Sequence, residues 1–183
     1  MMEVKKTILF DIDKIIDKMA IEERQRVAEL GCGNFGFFTF PLAKLVGKNG
    51  IVYAVDIIKS FLEEIKNRAK EQNLPQIQTI WSNLEVFKGA KIESSSLDRA
   101  FLINVLHQSD KRAEIIREAY RLLKTKGKLM IVEWSATDSP LGPPPERRLK
   151  LESLKAATLK LGFDIEDEFL AGPYHYGLML TKL

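Results

Sequence analysis

Short, continuous apolar runs alternate along this chain with stretches of helical periodicity. The runs at 26–30, 51–55, 77–81, 97–103 and 128–133 are rich in Val, Ile and Leu, the signature of strands covered on both faces. Between them, apolar positions three and four apart predict helices over 38–46, 60–72, 110–124 and 147–161, and Asp13 is placed to cap a shorter one over 14–19. In the second of these, Ile58, Leu62, Ile65 and Ala69 form the inward stripe, and the charged positions form a solvated face. Strand and helix alternating in this way, through right-handed crossovers, give a parallel sheet with helices on both faces. The last two runs, 164–169 and 176–181, are joined by Ala171-Gly172-Pro173-Tyr174-His175, a connection short enough for a hairpin.

The first strand runs into Gly31-Cys32-Gly33-Asn34-Phe35-Gly36, and the second ends in Asp56. Gly31 and Gly33 allow a sharp turn and a close approach of ligand to main-chain N–H groups. A carboxylate at the end of the second strand is placed to accept hydrogen bonds from the two hydroxyls of a ribose. The layout is that of an adenosine-binding crevice, and it suits NAD and S-adenosylmethionine alike. Glu29 weighs on the choice. A carboxylate two residues before the first glycine repels a pyrophosphate and suits the ammonium group of a methionine moiety, directly or through water. Phe35, Phe37 and Phe38 are expected to crowd the helix entrance where a diphosphate would lie, which also favours S-adenosylmethionine.

The run 28–39 resembles the first motif of the class I S-adenosylmethionine-dependent methyltransferases, and 42–56 resembles the helix, turn and second strand of that family. Residues 97–107, ending Asn104-Val105-Leu106-His107, are similar to the fourth strand, and 121–134 to the helix, turn and fifth strand. The chain is therefore identified as a member of that family, of the small type similar to the ubiquinone and menaquinone methyltransferases. One departure is Phe35, which reads as a one-residue insertion that moves the third glycine to Gly36. The resemblance implies an α/β, Rossmann-like fold over 1–183 as a single domain, with a mostly parallel seven-stranded sheet and an antiparallel C-terminal strand. It also implies cofactor contacts from Glu29, Gly31, Cys32, Gly33, Gly36, Asp56, Ile57, Asn83, Leu84 and Asn104. Asn83 stands where the family often has an acidic residue that reads the adenine amino group, and an amide oxygen can accept the same bond.

Candidate acceptor chemistry gathers at the carboxyl ends of the fourth and fifth strands, the edge where ligands sit in open α/β sheets. His107 and His175 are the two histidines of the chain, and both are expected on this rim, in one pocket with Glu133, Trp134 and Tyr174. Either is a candidate base for a hydroxyl or thiol acceptor. Loop 135–148, stiffened by Pro140, Pro143, Pro144 and Pro145, is a candidate lid. The signature of amino-group methylation of bases or glutamine is absent after the fourth strand, which leaves a small molecule with an oxygen, carbon or sulfur nucleophile as the expected acceptor. A cofactor-binding protein without turnover and an NAD(P)-linked oxidoreductase are the alternatives. No metal site is expected, because no ligand pair has metal-binding spacing.

Composition narrows the remaining classes. A formal net charge of +3, scattered along the chain, argues against nucleic acid as the partner. No apolar run approaches the ~20 residues of a membrane span, so no membrane is expected. One cysteine allows no internal disulfide, consistent with a cytoplasmic protein.

Overall fold

The computed structural model describes residues 9–136, 139 and 141–183. Seven strands form one sheet in the order β3-β2-β1-β4-β5-β7-β6. They are β1 (Arg26–Leu30), β2 (Ile51–Asp56), β3 (Ile77–Trp81), β4 (Leu97–Ile103), β5 (Leu123–Trp134), β6 (Phe163–Gly172) and β7 (His175–Lys182). The first five pair in parallel, and β7 runs antiparallel between β5 and β6. The turn between β6 and β7 is Pro173-Tyr174, so the sheet has the mostly parallel form and the antiparallel final strand expected of it.

The central strands are apolar throughout because both faces are covered. One face packs against α4 (Arg112–Leu122) and α5 (Leu151–Lys160), through Ile115, Ile116, Ala119 and Leu154 over Leu102, Ile131 and Leu178. The other packs against α1 (Ile12–Lys18), α2 (Thr39–Val46) and α3 (Lys59–Glu71), through Ile15, Leu42 and Ile65. On α3 the buried residues are Leu62, Ile65 and Ala69, three members of the predicted stripe. The edge strand β6 instead alternates in burial. Its outward acidic side chains guard the unpaired edge, and Asp167, Glu166 and Glu168 pair with Lys18, Lys128 and Lys155.

Two boundaries differ from the sequence reading. Asp11 caps α1, accepting from the Lys14 N–H at 3.0 Å; the predicted cap, Asp13, lies inside the first turn. The Asp11 N–H also donates to the Ala171 carbonyl at 3.3 Å, so a tertiary contact selects the cap. Helix α4 ends at Leu122, and β5 begins at once at Leu123, where it pairs Leu97 before a register shift. Among the described residues, no helix is long and apolar enough to cross a membrane.

Candidate functional site

The order of the sheet reverses between β1 and β4, and a crevice opens at such a switch point above the carboxyl ends of the strands. Gly31, at the end of β1, lies directly against Val105, just past β4. With φ at +86°, a Cβ on Gly31 would stand 2.5 Å from Val105 Cγ2. The switch point thus closes tightly at its base, and only glycine fits there. Gly33, with φ at +60°, would meet nothing within 4 Å, so its surroundings are open. The two glycines do different work: one permits packing, the other keeps a cradle clear.

Asp56 ties the cradle together. Its Oδ2 accepts the Gly33 N–H at 2.9 Å and its Oδ1 the Ile58 N–H at 2.9 Å. A cleft of about 310 Å³ runs from Gly31, Gly33 and Asp56 past Ile57, Ile58 and Phe61 to Ser82, Asn83, Leu84 and Glu85, with Val105, Gln108 and Ser109 opposite. Six of the predicted cofactor residues, Gly31, Gly33, Asp56, Ile57, Asn83 and Leu84, are brought together here.

The other four stand outside the cleft. Glu29 is turned away from the loop into the start of α2, where its carboxylate accepts from the Thr39 N–H at 2.7 Å, the Thr39 hydroxyl and the Phe38 N–H at 3.4 Å. A buried carboxylate is thus the cap of a helix whose own N-cap, Phe38, has no side-chain acceptor. Burial pushes its pKa up to about 7, against the pull of the Thr39 and Phe38 donors, with Asp56 adding a smaller push. Cys32 is buried too, and burial pushes its thiol pKa far up, so the thiol is neutral and inert. Gly36 packs against Ile65, Phe40 and Thr39, each 3.2 Å from where its Cβ would stand. Asn104 sits at the end of β4 with φ at +57°, and its Oδ1 is buried without a partner among the described residues.

The aromatic residues of the loop part company. Phe38 enters the core against Phe101, whereas Phe35 and Phe37 stack on each other at 5.2 Å, 56% and 55% exposed. They point outward and do not crowd the helix entrance as expected. The inserted Phe35 is held by its carbonyl, which accepts from Arg68 Nη1 at 2.7 Å.

Across β4, the rim is built from side chains. Glu133 is fully buried near the end of β5, and its carboxylate takes the Leu106 N–H on Oε1 at 2.6 Å and His107 Nδ1 on Oε2 at 2.9 Å. A carboxylate only accepts, so Nδ1 carries the proton and Nε2 is left as the basic lone pair. His175 does not share that setting. It pairs Trp134 across the sheet, whereas Tyr176 pairs Glu133. Alternation along the strands therefore puts Glu133, the partner of His107, on the face opposite His175.

His175 is 0% exposed, lies between Phe10 and Trp134 at 5.2 and 4.1 Å, and makes no hydrogen bond through either ring nitrogen among the described residues. Burial pushes its pKa down to about 4. His107 adds to that push, and the Leu9 main chain pulls the other way without hydrogen-bond geometry. The expected single pocket holding both histidines is thus not formed.

Trp134 is buried, and Gly142 of loop 135–148 rests on its ring, where a Cβ would stand 2.5 Å from Cε3. Tyr174 is partly buried, and its carbonyl accepts the Ser135 N–H at 2.8 Å. The candidate lid is fastened down. Arg148 Nε donates to the Pro143 carbonyl at 2.9 Å and Nη2 to the Leu141 carbonyl at 3.1 Å, and Arg147 pairs Asp110 at 2.8 Å. Pro143, Pro144 and Pro145 lie in this fastened part; Pro140 falls outside the described residues. No cluster of metal-ligating side chains occurs among the described residues.

Sequence reasoning missed several cleft residues. Ser82 follows β3 directly and lines the cleft, and its Oγ is buried without a partner among the described residues. Glu85 closes the far wall, accepting from Ser109 Oγ at 2.6 Å, and the Asn83 Oδ1 accepts the Glu85 N–H at 2.9 Å. Position next to Asn83 was the available signal for both. Val105 carries its signal in the rim position itself.

Residues 21–167 match the family model described as a methyltransferase domain. Among curated proteins, the chain is 28% identical over 122 residues to the S-adenosyl-L-methionine-dependent Diels-Alderase iccD of Talaromyces variabilis, an alignment covering 66% of this chain and 40% of that one. It is 25% identical over 118 residues to the demethylmenaquinone methyltransferase of Geobacillus sp. (strain WCH70), covering 64% and 49%. The chain thus spans about half the length, or less, of these relatives. A SAM dependent methyltransferase of Aquifex aeolicus superposes with a TM-score of 0.86 at 20% identity, over 99% of this chain and 94% of that one. The chain belongs to the methyltransferase domain family.

Proposed function

We propose that this family member binds S-adenosylmethionine in the cleft between the Gly31–Gly36 turn and Asp56 and transfers its methyl group to a small molecule through an oxygen, carbon or sulfur atom. The observation that carries this reading is the cleft at the β1/β4 switch point, where an open Gly33, a carboxylate at the end of β2 and the side chains of Ile57 and Leu84 surround one adenosine-sized space. When bound, the cofactor supplies a methyl group on an activated sulfonium. Asp56 has lone pairs left for the ribose hydroxyls, Ile57 and Leu84 supply apolar walls for the base, and Ser82 and Asn83 supply polar contacts at its edge.

His107 is the group that receives a proton from an oxygen or sulfur acceptor. Glu133 holds its ring and fixes the tautomer, and the imidazole is the one partly solvent-accessible histidine side chain of the rim. We place the protein in the cytoplasm as one methyltransferase domain, a reading supported by the free, buried Cys32.

Calorimetry with S-adenosylmethionine and S-adenosylhomocysteine tests the cofactor. Saturable binding in the micromolar range is expected, and micromolar NAD binding with no response to either would sink the reading. Transfer of labelled methyl from S-adenosylmethionine into a small-molecule extract tests turnover. A second reading, a cofactor-dependent protein that transfers no methyl group, is favoured by the name of the iccD relative. It predicts tight cofactor binding with no label transferred.

A further inference from the structure

Twelve large apolar side chains are exposed among the described residues. Ile57 and Ile58 line the cofactor cleft, and Leu45, Leu159 and Leu183 lie on α2, on α5 and at the last residue. The other seven all belong to the carboxyl rim of the sheet. Trp81 ends β3, with Val86 and Phe87 in the turn beyond it; Phe35 and Phe37 follow β1; Leu141 follows β5; and Leu170 stands near the end of β6. Since β3 and β6 are the two edges of a seven-stranded sheet, this apolar crown spans roughly 29 Å at about 4.8 Å per strand.

A small acceptor fills one pocket and cannot cover residues on both edges of the sheet, so the crown fits a broad, flat partner. Its charge says which. The Lys59 Nζ lies 5.1 Å from the centre of the Trp81 ring, and the Lys88 Nζ 5.9 Å from that of Phe87. Rim carboxylates have cations beside them: Glu85 and Asp110 pair with Lys111 and Arg147, Glu64 shares the groove at Phe35 with Arg68, and Asp11 shares the one at Leu170 with Lys14. Aromatic rings beside snorkelling lysines suit the headgroup layer of an anionic membrane, with the rings at the acyl boundary and the ammonium groups among the phosphates. A second copy placed rim to rim would set lysine against lysine. We propose that the carboxyl rim docks peripherally on an anionic lipid surface, an attachment that requires no spanning helix and does not depend on the identity of the acceptor.

Co-sedimentation with phosphatidylcholine vesicles, with and without phosphatidylglycerol, tests this on the full chain. Binding to the phosphatidylglycerol vesicles, falling steeply as salt rises, is the expected result. The variant Phe87→Ser/Leu141→Ser/Leu170→Ser, whose three sites lie outside the cofactor cleft, should lower the bound fraction about tenfold or more while S-adenosylmethionine affinity by calorimetry stays unchanged. The affinity measurement also shows that the variant is folded, and it separates failure of this proposal from failure of the cofactor reading. Absence of binding to either vesicle would overturn the proposal, as would equal binding to both. So would a concentration-dependent dimer that the same variant dissolves, because the crown would then be an interface between copies.

Discussion

The two halves of the carboxyl rim are built in opposite ways. On the β1–β2–β3 side the site is made of backbone. Two glycines in the left-handed region shape it, and main-chain N–H groups meet Asp56. On the β4–β5–β7 side it is made of side chains already bound to each other, with Glu133 on His107, Trp134 on His175 and Arg148 on the loop. The cofactor half is preorganised and open. The half proposed for the acceptor is instead filled by its own side chains and by the described part of the loop.

The sharpest way to break the contrast is at the glycines, which look equivalent in sequence. Gly31→Ala drives a Cβ into Val105 and forces alanine to a φ of +86°. Together these should cost about 2–5 kcal/mol of stability, seen as a lower denaturation midpoint. Gly33→Ala meets no atom and should cost only about 1–2 kcal/mol of backbone strain, yet it fills the cradle and should weaken S-adenosylmethionine binding about tenfold or more. If both variants lose stability equally, the division of labour is wrong.

On the acceptor half, His107→Ala should lower turnover about 100-fold or more with cofactor affinity intact, if the imidazole takes the acceptor proton. Glu133→Gln keeps the shape but offers His107 an amide, and it should shift the pH profile of turnover more than it changes KM. Loss confined to KM in both variants would reduce the pair to a pocket wall. Back on the cofactor half, Asp56→Ala should weaken binding by about 1.5–3 kcal/mol, the value of hydrogen bonds to a charged group. Unchanged affinity by calorimetry would remove Asp56 from the ribose.

The same contrast explains what could be read from the sequence. Strands β1 and β4 fall where their apolar runs predict, because their residues are mostly buried between the two helix layers; the edge strand β3, with no fully buried residue, also falls where it was expected. Gly31, Gly33 and Asp56 were legible because a backbone-built site has a short, local pattern. Glu29 lies in the same pattern, yet its side chain turns the other way, since Thr39 and Phe38 at the start of α2 offer it three donors. Topology put His175 on the right rim but not on a face. That depended on its pairing with Trp134 and on Phe10, a residue remote in sequence. Side-chain partnerships across the sheet carry no local signature.

The smallest expected effect is a near-absence, and it arises from one buried group in each half. Glu29 holds its proton more tightly in the folded chain, up to about 7. Ionising it therefore weakens the fold, and stability falls as pH rises from the ordinary carboxylate range to about 7 and is level above. His175 binds its proton more weakly in the folded chain, down to about 4. Its contribution runs the other way, being complete above the ordinary histidine value and lost as pH falls toward 4. Each is worth up to about 3 kcal/mol, and the two windows overlap between about pH 4.5 and 6.5, so the unmodified chain should show little net slope there from these groups. Chemical denaturation across that range should expose each in turn. Glu29→Gln should leave a stability that rises with pH, and His175→Phe, which suits the aromatic contacts of Phe10 and Trp134, should leave one that falls. If either variant keeps the slope of the unmodified chain, the group it removes does not titrate in this window, and the opposition between the two halves does not extend to their buried charges.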